Sequence, residues 1–163
     1  MWAAECEVEI GSLAQAETYV NLIRSRAADQ TGWVHTYIDN ANPTKGFTNV
    51  AAANYKVGLY SGQFTAKGQA YAREAVRFER RLELGMEGHR FFDLQRYDNG
   101  TGYMTDALNA YIQHELKVPK FNPVIFVGAT FKKGKTEIYP IPQIQIDLSN
   151  AGGSQVLKQN PNY

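Results

Sequence analysis

Residues 79–96 of this chain read ERRLELGMEGHRFFDLQR. Acidic and basic residues alternate there with apolar ones at helical spacing, and Glu79, Glu83 and Glu87 follow one another four residues apart. Three carboxylates along one edge of a helix have two interpretations. They are either an acid–base pair or metal ligands of an active site, or members of a structural ion-pair network, and the neighbouring residues decide between the two.

The stretch begins inside a predicted helix that runs from about residue 66 to about residue 87. The apolar arc of this helix consists of Phe78, Tyr71, Leu82, Ala75, Met86 and Ala72. Glu79 falls inside the arc, so we expect its carboxylate to be buried and to need a partner, for which Arg90 and Arg96 are the nearest candidates across a helix break at Gly88. We therefore interpret five residues as a structural ion-pair network: Glu79, Glu83, Arg90, Asp93 and Arg96.

The N-terminal residues predict two helices separated by a Gly–Ser break. In the first, Trp2, Cys6 and Ile10 lie four apart on one face, and Cys6 is expected to be a small buried residue. The second helix is predicted over residues 13–28. The pair resembles the turn of a tetratricopeptide repeat. Since a lone repeat cannot bury both faces, we expect the chain to begin partway through a repeat.

Residues 30–65 form a long segment rich in glycine, asparagine, threonine and aromatic residues. Loops of this length are usually functional or disordered, and the many aromatic residues favour an ordered loop. Aromatic rings stack on the apolar faces of sugars, while amide and carboxylate side chains bond the hydroxyl groups. The candidate glycan contacts are Trp33, Tyr37, Asp39 and Asn40. The alternative is that these aromatic residues pack the loop onto the helices.

Further along, shorter helices are predicted over about residues 89–97 and 103–116, with a helical turn near 143–148 and an extended tail. Gly134 could sit at the tip of a small hairpin. The predicted fold class is mostly α, with a tetratricopeptide-like helical hairpin, long ordered loops and one small β-hairpin. We expect a single domain over residues 1–163, with four parts at residues 1–28, 30–65, 66–97 and 98–163.

The amino-acid composition and the apolar pattern of the chain argue against several classes of function. Lysine and arginine number 17 against 16 acidic residues, so no net field attracts nucleic acid. The single cysteine excludes an internal disulfide and a cysteine metal site. No apolar stretch approaches the ~20 residues of a membrane span, and no signal peptide follows Met1.

Sequence motifs for cofactor chemistry are missing as well. There is no Glu-x-x-His or His-x-His pair for a metal, no glycine-rich phosphate loop and no Gly-x-Ser-x-Gly. We therefore expect no cofactor, no metal and no catalysis.

Several motifs together resemble the C-terminal region of SusD/RagB family proteins. They lie in residues 77–84 (RFERRLEL), 87–94 (EGHRFFDL), 128–131 (GATF), 139–142 (YPIP) and 157–161 (LKQNP). Residues 4–27 and 55–60 also resemble the family's last repeat and a loop segment, so the similarity covers nearly the whole chain.

The resemblance implies a non-catalytic binding protein. Family members are outer-membrane, surface-facing lipoproteins that bind glycans or other oligomeric nutrients and deliver them to a TonB-dependent transporter. They are much longer than this chain, which therefore resembles a C-terminal fragment without the signal and lipid anchor. Their ligand contacts lie in variable loops, so no binding residue carries over by motif.

Other functions stay open at this point. The ligand could be a peptide instead of a glycan. A tetratricopeptide-like frame could also serve as a scaffold for protein partners through its helical groove. A glycoside hydrolase would need two carboxyl groups about 5–10 Å apart that face an open cleft, whereas Glu79 and Glu83 are expected to lie against arginines.

Overall fold

The structure, a computed structural model, describes residues 1–118 and 123–163. Within them it contains seven α-helices and one two-stranded antiparallel sheet. The elements are α1 (Trp2–Glu9), α2 (Leu13–Ala28), β1 (His35–Tyr37), β2 (Phe47–Ala51), α3 (Gln63–Lys67), α4 (Gln69–Glu83), α5 (Arg90–Asp98), α6 (Tyr103–Glu115) and α7 (Gln143–Asn150). The predicted fold class, mostly α with one small hairpin, is confirmed. None of the described helices has the length and apolar character to cross a membrane.

The described chain forms two compact units, Met1–Gly85 and Met86–Tyr163. The core of the first unit is built by α1 to α4 from small and medium side chains. Its buried members are Ala4, Val8, Ala16, Val20, Phe64, Ala72, Ala75 and Val76. Alanines in the contact faces let the helix backbones approach closely, which explains how a unit with one large buried ring still packs tightly.

The buried face of α1 differs from the predicted one. Trp2 and Ile10 are 67% and 76% exposed, whereas Ala4 and Val8 are buried. Both sets are spaced four residues apart, so periodicity alone cannot choose between them. The structure buries the smaller set, which fits against the alanine-rich faces of α2 and α4. The prediction that Cys6 is buried is therefore wrong, because this residue is exposed.

The helix predicted from about residue 66 to 87 is two helices. Gly68 separates α3 from α4 with a left-handed φ of 83°, and α4 already ends at Glu83. The buried residues of α4 are Ala72, Ala75, Val76, Glu79 and Arg80. Phe78 and Leu82 of the predicted apolar arc are instead 52% and 59% exposed. The arc is displaced because α1 and α2 pack on the side that carries the small residues and the ion pair.

Three polar side chains of α2 hold the irregular segment that leads into α3. Glu17, Asn21 and Arg24, here called the polar stripe of α2, are spaced by four and three residues and so lie on one face of the helix. Their partners are backbone groups of residues 58–64. The stripe therefore supplies the hydrogen bonds that a neighbouring strand would supply in a sheet.

Glu17 is the most deeply placed member of the stripe, at 8% exposure. Its carboxylate accepts hydrogen bonds from the N–H groups of Gly62 and Phe64, at 2.6 and 2.8 Å. These groups stand at the start of α3, where N–H groups lack partners within the helix. A buried carboxylate from another helix thus caps α3 and fixes Phe64 in the core.

Asn21 and Arg24 continue the same arrangement along the chain. The Asn21 amide accepts from the N–H of Tyr60 at 2.9 Å and donates to its carbonyl at 3.0 Å, which satisfies both backbone groups of one residue. Arg24 Nε donates to the carbonyl of Gly58. The loop is ordered as predicted, and the order comes from these amide and guanidinium contacts in addition to aromatic packing.

In the second unit, side-chain amides also satisfy the backbone groups of irregular segments. Asn109 and Gln159 each bond both backbone groups of one loop residue, Phe131 and Ile141 respectively, at 2.8 to 3.0 Å. Its buried apolar residues are Leu94, Tyr97, Met104, Ile112 and Ile146. Irregular backbone in this unit is therefore held by side-chain amides.

The hairpin considered at Gly134 is a turn without strands. The N–H groups of Lys135 and Thr136 both donate to the carbonyl of Lys132, at 3.1 and 3.0 Å. Gly134 occupies the turn with a φ of 74°. The chain's one described hairpin lies instead at residues 35–51.

The backbone strain at Met86, in the connection after α4, can be tested by substitution. This non-glycine residue has a φ of 70° and a fully exposed side chain, so backbone strain has no packing contact to offset it. We expect Met86→Val to lower the free energy of unfolding by about 1–2 kcal/mol, because a β-branched residue tolerates this conformation worst. Met86→Gly should be neutral or stabilising. Urea unfolding followed by circular dichroism measures both, and equal effects of the two variants would contradict the assignment of strain.

Candidate functional site

The hairpin β1–β2 exposes two aromatic rings that contact each other. Tyr37 pairs with Phe47 across the strands, and the ring centroids lie 5.0 Å apart with planes inclined by 25°. The two side chains are 43% and 58% exposed. We call Tyr37 and Phe47 the hairpin platform. It is a flat apolar surface open to solvent, which is the shape that stacks on the apolar face of a sugar ring.

Polar side chains lie in the turn beside the platform. Asp39 accepts hydrogen bonds from Lys45 Nζ at 2.8 Å and from the N–H of Ala41 at 2.9 Å. These hydrogen bonds, and the one from Lys45 most of all, lower the pKa of the Asp39 carboxyl group. Asp39 is thus held ionised and paired within the turn. Asn40 is exposed next to it. The turn therefore offers an amide and an ion pair of zero net charge at the edge of the platform.

Trp33 has a different role from the other three candidates. Its Nε1 donates to the carbonyl of Ala27 at 3.0 Å, and its ring packs against Tyr55 with centroids 4.8 Å apart. The hydrogen bond ties the segment before β1 to the end of α2, and the ring contact joins that segment to the one that follows β2. The packing interpretation of the loop aromatics describes Trp33, whereas Tyr37, Asp39 and Asn40 are the candidates that belong to the hairpin itself.

Phe47 belongs to the hairpin platform but is not among the candidate contacts predicted from the sequence. It is one of many aromatic residues in the segment, and only the strand register brings it opposite Tyr37. A usable signal is present, since Tyr37 and Phe47 flank a stretch with Asp39, Pro43 and Gly46 that is typical of a turn. The pairing of Thr36 with Thr48 through their hydroxyl groups, at 2.6 Å, supports the same register.

The second predicted set, the ion-pair network, is centred on Glu79. This residue is 5% exposed, and its Oε1 accepts hydrogen bonds from Arg24 Nη1 at 2.5 Å and from the Tyr60 hydroxyl at 3.1 Å. The Arg24 guanidinium also lies over the Tyr60 ring, 4.8 Å from its centroid. Arg24 is 55 positions away in sequence, so the local pattern around residues 79–96 gives no sign of it.

Desolvation first, and then the charge and hydrogen bond of Glu79, raise the pKa of the Tyr60 phenol to about 12. A neighbouring carboxylate disfavours the phenolate, since two like charges would then lie at hydrogen-bond distance. Tyr60 is therefore a permanent donor to Glu79 at neutral pH. The three side chains Arg24, Tyr60 and Glu79 form one charge-assisted cluster that joins α2, the loop and α4.

The remaining members of the predicted network lie in separate contacts. Glu83 pairs with Arg26 of α2. In the second unit, Arg96 contacts Asp93 at 3.2 Å within α5, and Arg90 is the first residue of that helix. Glu79 and Glu83 each face an arginine, an arrangement that suits a structural joint better than an acid–base pair. Among the described residues, no three His, Cys, Asp or Glu side chains form a group suited to a metal ion.

Removing the Glu79 carboxylate tests this joint. Glu79→Ala should lower the free energy of unfolding by about 3 kcal/mol, since it leaves Arg24 without its buried counter-charge while Arg24 keeps partial access to water. The control on the same helix is Glu74→Ala. The Glu74 side chain is 59% exposed, against 6% for Glu79, so loss of this solvated carboxylate should cost less than about 1 kcal/mol. Chemical denaturation measures both. Equal losses would contradict a buried joint at Glu79.

The pKa of Tyr60 predicts a dependence of stability on alkaline pH. The pKa is about 12 in the folded protein against an ordinary value of 10.0, so the unfolded chain loses this proton first as the pH rises. The stabilising contribution is therefore complete below pH about 10 and declines as the pH approaches 12. Urea midpoints between these pH values should fall more steeply for the wild type than for Tyr60→Phe. Parallel slopes would show that Tyr60 is not the titrating group.

The whole chain matches a known protein family in sequence. The model of the SusD family covers residues 1–163. No curated protein and no solved structure matches the chain. A match that runs from the first residue to the last includes both structural units and does not depend on the 79–96 stretch alone. The chain therefore belongs to the SusD family.

Proposed function

We propose that this chain binds a glycan through the hairpin platform, as part of nutrient capture for a TonB-dependent transporter in the outer membrane. Membership in the SusD family indicates glycan binding in nutrient uptake and an association with the outer membrane. The single observation that carries the assignment to a site is the exposed, stacked pair Tyr37–Phe47.

Three features of the hairpin support a sugar as its ligand. The platform is apolar and flat, so it matches the C–H face of a pyranose. Asn40 and the paired Asp39 at its edge can bond hydroxyl groups. The ion pair of Asp39 with Lys45 leaves the edge without net charge, so a charged ligand gains no attraction there over an uncharged glycan.

A second candidate function is a scaffold that binds protein partners. It is supported by exposed apolar side chains of α1, of its C-cap residue and of α4, which are 52% to 76% exposed: Trp2, Ile10, Phe78 and Leu82. Phe78 and Leu82 are four residues apart and so share one face of α4, and a shared exposed apolar face is typical of protein contact surfaces. A glycoside hydrolase has less support, because Glu79 and Glu83 are engaged by arginines.

Truncation of the platform tests the proposal. Tyr37→Ala and Phe47→Ala should each weaken glycan binding about tenfold or more, because each removes a ring that stacks on the ligand and disturbs the ring beside it. Isothermal titration with a panel of neutral oligosaccharides measures the affinity.

The matched controls are Tyr139→Ala and Phe92→Ala, which remove exposed rings, 73% and 66% accessible, from the second unit. They should leave the affinity unchanged. If no oligosaccharide binds the wild type while the protein retains a transporter from a membrane extract, the scaffold function is favoured. Equal losses in the platform and control variants would exclude the hairpin as the contact.

A further inference from the structure

A concave site lies in the first unit and shares no residue with the hairpin platform. It is a cavity of about 240 Å³ between α2, α4 and the loop before α3, and we call it the α2–α4 pocket. Apolar walls come from Ile23, Val57 and Leu82. The charged residues that line the pocket are Arg24, Lys56, Glu79 and Glu83. Apolar walls with a few converging polar groups are the usual composition of a small-molecule site.

Glu79 gives the pocket an acceptor of defined geometry. Its side chain is 6% exposed, yet in the part of the chain that the structure describes both of its hydrogen bonds go to Oε1. Oε2 accepts none from those residues, and Glu79 lines the pocket. Oε2 therefore keeps contact with solvent, and a hydrogen-bond donor of a ligand in the pocket can replace the water that this carboxylate oxygen would otherwise accept from.

The surrounding charges select the kind of donor. Arg24 already neutralises Glu79, and Lys56 brings a second positive charge to the same pocket. Glu83, the second carboxylate of the pocket, is paired with Arg26. An ammonium group would therefore meet two carboxylates that already have counter-ions and would lie near Lys56, which is unfavourable. A hydroxyl group donates to Oε2 without any change in charge, as the Tyr60 hydroxyl already does to Oε1. The chemistry favours an uncharged, hydroxyl-bearing ligand.

Size and wall chemistry limit the ligand further. The cavity is smaller than the ~300–1,000 Å³ of sites for drug-sized molecules, so it suits a single small ring. A pyranose presents C–H groups to apolar walls and hydroxyl groups to polar ones. Its other hydroxyl groups can accept a hydrogen bond from Lys56, which is exposed at the pocket.

We propose that the α2–α4 pocket is a separate binding site for one uncharged sugar ring. A hydroxyl group of the sugar donates a hydrogen bond to Glu79 Oε2 and so orients the ring. The site is independent of the hairpin platform, because the two share no residue. A ligand of this size is expected to bind in the millimolar range, which suits a site that samples free or terminal sugar units.

The test is a methyl NMR titration of the full chain with glucose, galactose and mannose. At least one of these sugars should shift the methyl signals of Ile23, Val57 and Leu82 to saturation, while ethylammonium at the same concentrations should not. Absence of a saturable shift with all three sugars overturns the proposal. Equal or stronger shifts with ethylammonium also overturn it, since the electrostatic selection would then be wrong.

Blocking variants assign the signal to the pocket. Ala27 lines the pocket with an exposed side chain, and Ala27→Phe should weaken sugar binding at least about tenfold. The matched control is Ala70→Phe at an exposed position near the start of α4, which should bind as the wild type does. If Ala27→Phe does not fold, Val57→Phe blocks the opposite wall.

The variant Tyr37→Ala separates the two sites. It should lose binding of oligosaccharide to the hairpin and keep the methyl shifts at the pocket. Methyl shifts that disappear in Tyr37→Ala but persist in Ala27→Phe would overturn the proposal, because the sugar would then be bound at the hairpin platform. Loss of hairpin binding alone has no bearing on the pocket, so failure of one site is distinguishable from failure of the other.

Discussion

The first unit depends on one constraint, the need of irregular backbone for hydrogen-bond partners. The backbone of residues 58–62 belongs to neither a helix nor a sheet, and the polar stripe of α2 supplies its hydrogen-bond partners instead. Glu17, Asn21 and Arg24 lie one helical turn apart, so consecutive turns of α2 bond successive parts of the loop. This fixes Phe64 in the core and starts α3, after which α4 can pack against α1 and α2.

Arg24 connects this scaffold to the charge cluster. Its guanidinium donates hydrogen bonds to the loop backbone and to the Glu79 carboxylate, and it lies over the face of the Tyr60 ring. These contacts hold α2, the loop and α4 together at a single point. Both hydrogen bonds of the cluster go to Glu79 Oε1, which leaves Oε2 without one from the described residues, and Glu79 lines the α2–α4 pocket. The same ion pair that stabilises the unit therefore defines the chemistry of the proposed sugar site, while Trp33 ties the segment before β1 to the end of the same helix.

Several features could be predicted from sequence because they depend on local patterns. The bounds of α2 and the burial of Glu79 follow from helical periodicity and a glycine–serine break. The exposed position of Cys6, the split of the long helix at Gly68 and the exposure of Phe78 could not be predicted. In each case two faces or two conformations fitted the pattern equally well, and packing against other helices selected one of them.

The sequence by itself determined the family, the mostly α character and the order of the segments, since these rest on motifs and periodicity within short stretches. Only the tertiary structure decided which residues meet. Tyr37 opposite Phe47, and Arg24 against Glu79 from 55 positions away, are set by strand register and helix packing. The turn residues between Tyr37 and Phe47 indicate a hairpin but do not fix its register. No local pattern indicates the packing of α2 against α4 that brings Arg24 to Glu79, because that packing depends on distances between elements far apart in sequence.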